Sequence, residues 1–140
     1  PASAQTSLDD RIAELAQAYL LSARDIQGYM DMYAPDPAAR RDPYCAPLCA
    51  ADLSHQPRTL VMTAEYCPLR DEGEEYARRL AKAGNDAQCV RILDGVHGYF
   101  LYPSVLNLVR DTYQVMERFL AGAELVQEGD ASWAEIRGTD

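Results

Sequence analysis

The chain has 140 residues, enough for one ordinary domain and too few for two. Its apolar fraction of 48% and charged fraction of 25% are those of a globular protein, which argues against wholesale disorder. Thirteen basic against 22 acidic residues leave a net charge of −9, a surface that repels phosphate backbones and anionic lipid, so neither nucleic acid nor a membrane surface is expected as a partner. No apolar run approaches the ~18 residues of a transmembrane span. The polar stretch from Pro1 to Ser7 lacks the basic-then-apolar order of a secretory signal. Four cysteines are too few for a disulfide-stapled miniprotein, so reduced thiols in a cytoplasmic protein are expected.

Ser7 can cap a helix in which Leu8, Ile12, Leu15, Ala16 and Tyr19 recur at spacings of three and four. Ser22 is a second cap, and Ile26, Tyr29, Met30 and Tyr33 trace a stripe read as a core face, closed by Pro35 and Pro37. Five prolines between Ala34 and Pro57 exclude a regular element, and a connection this long should lie packed on a surface or shape a site. Arg58–Ala64 reads as a strand covered on both faces. A helix with Leu69, Tyr76, Leu80 and Ala83 follows and stops at Gly84. Gln88–Leu93 reads as a second strand. Pro103 opens a long helix with Val105, Val109, Thr112, Met116 and Phe119 in register, ending near Gly122. The remainder, from Ala121 to Asp140, is acidic and Gly-punctuated and reads as a mobile tail rather than a docked helix.

Strand, helix, strand, helix implies an α/β fold with a parallel pair joined by a right-handed crossover. Two strands are too few for such a sheet, so its other members are expected from elsewhere. The exposed sheet edge invites association, including homo-oligomerisation. Parallel sheets present functional residues at the carboxyl ends of their strands. Here these are the loops Glu65–Gly73 and Asp94–Phe100, which would put Cys67 and His97 at equivalent heights. His97, between Gly95 and Gly98, is a candidate general base.

Five blocks carry a resemblance: Asp42-Pro-Tyr-x-x-Pro-Leu48, Ala51-Asp-Leu-Ser54, Thr59-Leu-Val-x-Thr-Ala-Glu65, Pro68-Leu-Arg-Asp-Glu-Gly73 and His97-Gly-Tyr-Phe100. Together, in this order, they resemble the hormone-sensitive-lipase-type α/β-hydrolases, serine esterases and lipases with a Ser-Asp-His triad. The resemblance implies the C-terminal portion of an α/β-hydrolase fold, contributing its last two parallel strands. Residues 1–45 would be a helical cap-like segment, 46–121 the C-terminal part of the core and 122–140 an acidic tail. His97 aligns with the triad histidine, and a small-molecule ester is the implied substrate. No cofactor is implied.

Two departures qualify the resemblance. Neither Gly-x-Ser-x-Gly nor a His-Gly-Gly segment occurs. Without nucleophile and oxyanion donors the chain alone should be inert, and a missing N-terminal hydrolase segment carrying the serine becomes the expected partner. At the triad-acid position stands Cys67, whose neutral thiol would orient an imidazole poorly. The alternative is thus an impaired or non-catalytic relative acting in ligand or partner binding. Asp71, the second acid of the block, is a possible substitute acid, and Glu65 a more remote one. A Cys67 nucleophile paired to His97 is conceivable, but the implied fold aims position 67 at the far side of the histidine.

The other candidates are bland. Cys45-x-x-x-Cys49 has only His55 nearby and lacks a second ligand pair, so no metal site is expected. Cys89 should behave as a small buried apolar group. Glu72, Glu74 and Glu75 sit at a helix start, where the dipole accounts for them.

Overall fold

The computed structural model describes residues 21–102, 106–125 and 133–136, without the side chains of Trp133, Ala134 and Ile136. The helix expected over Leu8–Tyr19, and Pro103 with Val105, lie outside the described residues. The first described helix, α1 (Ala23–Tyr33), begins where Ser22 forms a capping box. The Asp25 amide donates to Ser22 Oγ at 3.1 Å, and the Ser22 amide donates to Asp25 Oδ2 at 2.9 Å. Ser22→Ala should speed exchange of the Asp25 amide roughly fivefold, read by hydrogen exchange. The stripe expected to be a core face is not one: no residue of α1 is buried, and Tyr29, Met32 and Tyr33 are exposed.

The proline-rich connection holds two single 3₁₀ turns, Ala39–Arg41 and Pro47–Cys49, and is tied down by side chains from later in the chain. Arg79 donates to the carbonyls of Leu48 and Ala50. The Asn85 amide group donates to Leu53 O at 2.7 Å and Leu80 O at 2.8 Å.

Strand β1 (Thr59–Tyr66), helix α2 (Arg70–Lys82) and strand β2 (Ala87–Val96) form the expected crossover unit, with β1 and β2 parallel. Gly84, at φ +86°, turns the chain out of α2. Side chains alternate along β2. Val90 and Ile92 pack with Leu108 and Val115 of helix α3 (Leu106–Leu120), whereas Arg91 meets Glu74 of α2. The two helices therefore cover opposite faces of the sheet. The buried face of α3 is Leu108, Thr112, Val115 and Phe119; Met116, placed on that stripe from spacing, is more than a third exposed.

A third strand corrects the reading of the tail. Within that acidic stretch, Trp133–Ile136 forms β3, parallel to β2 and pairing Arg91 with Glu135, so the sheet order is β1-β2-β3. Four residues are too few to show a period. What seats them is tertiary: Arg91 Nη1 donates to Glu135 Oε1 at 3.1 Å, and the approach is held where the Leu125 amide donates to Gln88 Oε1 at 2.9 Å. On the other side, β1 has no strand beyond it among the described residues.

All four cysteines are free thiols. Burial pushes the Cys89 thiol from about 9 up to about 12. Between those values the unfolded chain loses the proton while the folded chain keeps it. Stability should therefore be intact below about pH 9 and decline as pH rises toward 12. Urea midpoints at pH 8 and pH 10 test this, and Cys89→Ala should flatten part of the dependence.

Candidate active site

At the carboxyl end of β1 the chain turns at once: the Cys67 amide donates to Ala64 O at 3.1 Å and the Arg70 amide to Cys67 O at 3.0 Å, which starts α2. Arg70 is buried. Its Nη1 donates to Glu65 O at 2.7 Å, and its Nε donates to Asp71 Oδ1 at 2.7 Å. The first loop is thereby clamped to the helix that follows it.

At the carboxyl end of β2, Gly98 takes φ +69°, and a 3₁₀ turn over Tyr99–Leu101 follows. Thr112 Oγ1 donates to Leu108 O at 2.8 Å, so the Tyr99 hydroxyl is the donor in its 2.8 Å contact with Thr112 Oγ1. That buried bond anchors the second loop to α3. Phe100 stacks on Tyr99 with ring centroids 4.4 Å apart.

These two anchorages bring the loops together. Cys67 Sγ lies 3.3 Å from His97 Nδ1. Cys67 is buried, and desolvation raises its thiol above the ordinary value, with backbone hydrogen bonds at Leu69 and the Arg70 charge opposing. At neutral pH it faces the imidazole as a neutral group. His97 Nε2 has no partner among the described residues. Both side chains line a cleft of about 250 Å³ with Leu69, Arg70, Gly98 and Phe100, continuing along Val61–Ala64 of β1.

The two carboxylates weighed as substitute acids are otherwise engaged. Asp71 Oδ1 receives Arg70 from both Nε and Nη2, the latter at 2.6 Å. Glu65 Oε2 accepts from the Asp94 amide at 2.7 Å. Each thus holds a charge-assisted bond to a group other than the imidazole. Glu74, expected only to serve the helix dipole, lies beyond the first turn of α2 and has a different task. It accepts from Thr63 Oγ1 at 3.0 Å and from Arg91 Nε at 2.8 Å and Nη2 at 2.9 Å, joining α2 to both strands. Period-2 alternation puts Thr63 and Arg91 on one sheet face, but no local signal names the helix residue between them.

A sequence profile of the α/β-hydrolase fold matches residues 1–101. The chain belongs to the α/β-hydrolases of the hormone-sensitive-lipase type. An arylesterase of Saccharolobus solfataricus is 43% identical over 72 residues, which cover 51% of this chain and 24% of that protein. An ethyl acetate hydrolase of Pseudomonas putida is 33% identical over 96 residues, covering 69% of this chain and 30% of that one. Among solved structures, a thermostable carboxylesterase cloned from a metagenomic library matches with a TM-score of 0.74 at 31% identity, over 81% of this chain and 40% of its own. The chain thus spans less than half the length of these relatives. No helix among its described residues is long and apolar enough to cross a membrane.

Proposed function

We propose that this chain is the C-terminal portion of a serine carboxylesterase-type hydrolase and contributes its general base, His97. The observation that carries the reading is the 3.3 Å contact between His97 Nδ1 and position 67, across the ends of two adjacent parallel strands. With Nδ1 engaged there, Nε2 is the nitrogen left to take the proton from a serine hydroxyl and return it to the departing alcohol. The serine and the oxyanion donors come from a segment N-terminal to this sequence, and the open edge of β1 is a natural seat for its strands. The substrate class is a small carboxylic ester. Free thiols suit a reducing compartment such as the cytoplasm.

One observation favours a second reading. The group facing Nδ1 is a buried neutral thiol, a weak acceptor that offers no negative charge to the imidazolium formed during acyl transfer. On that reading the protein is an impaired hydrolase that retains the fold to bind a ligand or partner.

The test joins this chain to its N-terminal complement in one polypeptide and assays p-nitrophenyl acetate and butyrate. Robust hydrolysis that His97→Ala abolishes supports a working triad. Background hydrolysis that rises only with Cys67→Asp supports the impaired reading. A complete protein that stays dead with Cys67→Asp rules out the esterase assignment.

A further inference from the structure

The pairing of β1 with β2 runs residue for residue up to Ala64 and Ile92, and the next pair is Tyr66 with Val96. Glu65 alone therefore faces Leu93, Asp94 and Gly95, so β2 carries two extra residues at this point. A bulge of this kind bends its strand and redirects the side chains beyond it. The residue two beyond is His97.

Such a bulge has to be held. Asp94 sits at φ +61°, a left-handed conformation that is unfavourable for a residue with a side chain. Gly95 lies so close to β1 that a Cβ there would stand 3.2 Å from Ala64 Cβ and 3.1 Å from Ile92 O. One polar contact at the bulge comes from β1: Glu65 Oε2 accepts from the Asp94 amide at 2.7 Å. At its other end Glu65 is fixed through its carbonyl, which accepts from buried Arg70 at 2.7 Å. Cys67 follows two residues later. Glu65 is thus bonded to both loops, with position 67 two residues beyond it on one and His97 three beyond Asp94 on the other.

We infer that Glu65 is a positioning residue, whose carboxylate clamps the β2 bulge at Asp94 so that His97 Nδ1 stands against position 67. This rests on the reading of His97 as general base. It also gives Glu65 a task different from that of a substitute triad acid, because the carboxylate works on a backbone amide of the histidine's own strand.

The experiment uses the complete hydrolase, this chain with its N-terminal complement, carrying Cys67→Asp. Glu65→Ala should lower kcat about 10- to 100-fold with KM within about twofold, as expected when a catalytic group is displaced by about an ångström. Glu65→Gln keeps a carbonyl oxygen for the Asp94 amide and should recover most of that loss. The ¹⁵N signals of the His97 ring should move in Glu65→Ala and stay near their parent positions in Glu65→Gln. Gly95→Ala, which pushes the same bulge from its other side, should also move them and serves if Glu65→Ala does not fold. An unmoved ring, an unchanged kcat alongside a lowered urea midpoint, or equal losses in the Ala and Gln variants would each overturn the inference. If the parent shows no esterase activity, the ring signals still decide the clamp, while the functional reading alone falls.

Discussion

Replacing Cys67 with Asp in the reassembled hydrolase should raise kcat for p-nitrophenyl butyrate by roughly 10³- to 10⁴-fold, the scale on which a triad carboxylate matters in serine proteases. The geometry is already in place, since Sγ stands 3.3 Å from Nδ1. A carboxylate oxygen on a side chain one atom longer can approach to ~2.8 Å and accept a charge-assisted bond. The native thiol cannot supply that charge by ionising, because burial drives it further from ionisation at neutral pH. KM should change little, because the new interaction strengthens only as the imidazole becomes cationic. Cys67→Asn separates shape from charge and should recover only a small part of the gain. His97→Ala in the Cys67→Asp background should erase it. A rise that survives His97→Ala would show that the acid works through some other group.

Glu74→Ala should cost about 2–4 kcal/mol of folding stability, measured by urea denaturation. Glu74 is largely buried and accepts three hydrogen bonds, two from Arg91 and one from Thr63. Removing it strands a guanidinium that its carboxylate otherwise holds more firmly in the charged form. Arg91 keeps some solvent contact and its bond to Glu135, so the expected cost lies below that of a fully enclosed pair. Glu74→Gln keeps one acceptor oxygen, which can serve both Thr63 Oγ1 and Arg91 Nε as Oε1 does, and loses the acceptor for Arg91 Nη2, so it should lose about half as much. A loss under ~0.5 kcal/mol for Glu74→Ala would show that the network contributes no more than a surface ion pair.

Local chemistry was enough to locate much of this fold. Ser22 marks a helix cap, Gly84 a helix stop, and the Thr/Val-rich run after Pro57 a strand. The neighbouring positions of Cys67 and His97 followed from topology, because residues just past the ends of adjacent parallel strands must lie close. Errors arose where the deciding partner is remote in sequence. The apolar stripe of α1 has helical periodicity whether or not anything covers it, so spacing alone could not distinguish a core face from an exposed one. On α3, two stripes one residue apart are both apolar, and only the sheet selects Leu108 and Val115 as the buried members, with Val109 packed at their margin and Met116 exposed. β3 was missed because its four residues, though Trp133 and Ile136 favour strands, are too few to show a period. Its place comes from pairing with β2 and from Arg91 reaching Glu135.

The amino-acid order alone determined that this is an α/β chain of the hydrolase family, with an imidazole at one strand end and a thiol where an acid is expected at the next. Such features are written in periodicity, caps and short motifs, which depend on neighbours within a few residues. Tertiary structure alone decided that the thiol is buried against Nδ1 and that Glu65 belongs to the Asp94 amide. Each of those outcomes depends on which group first satisfies a charge or a backbone donor at close range, and that is set by the register of two strands and the two-residue bulge between them.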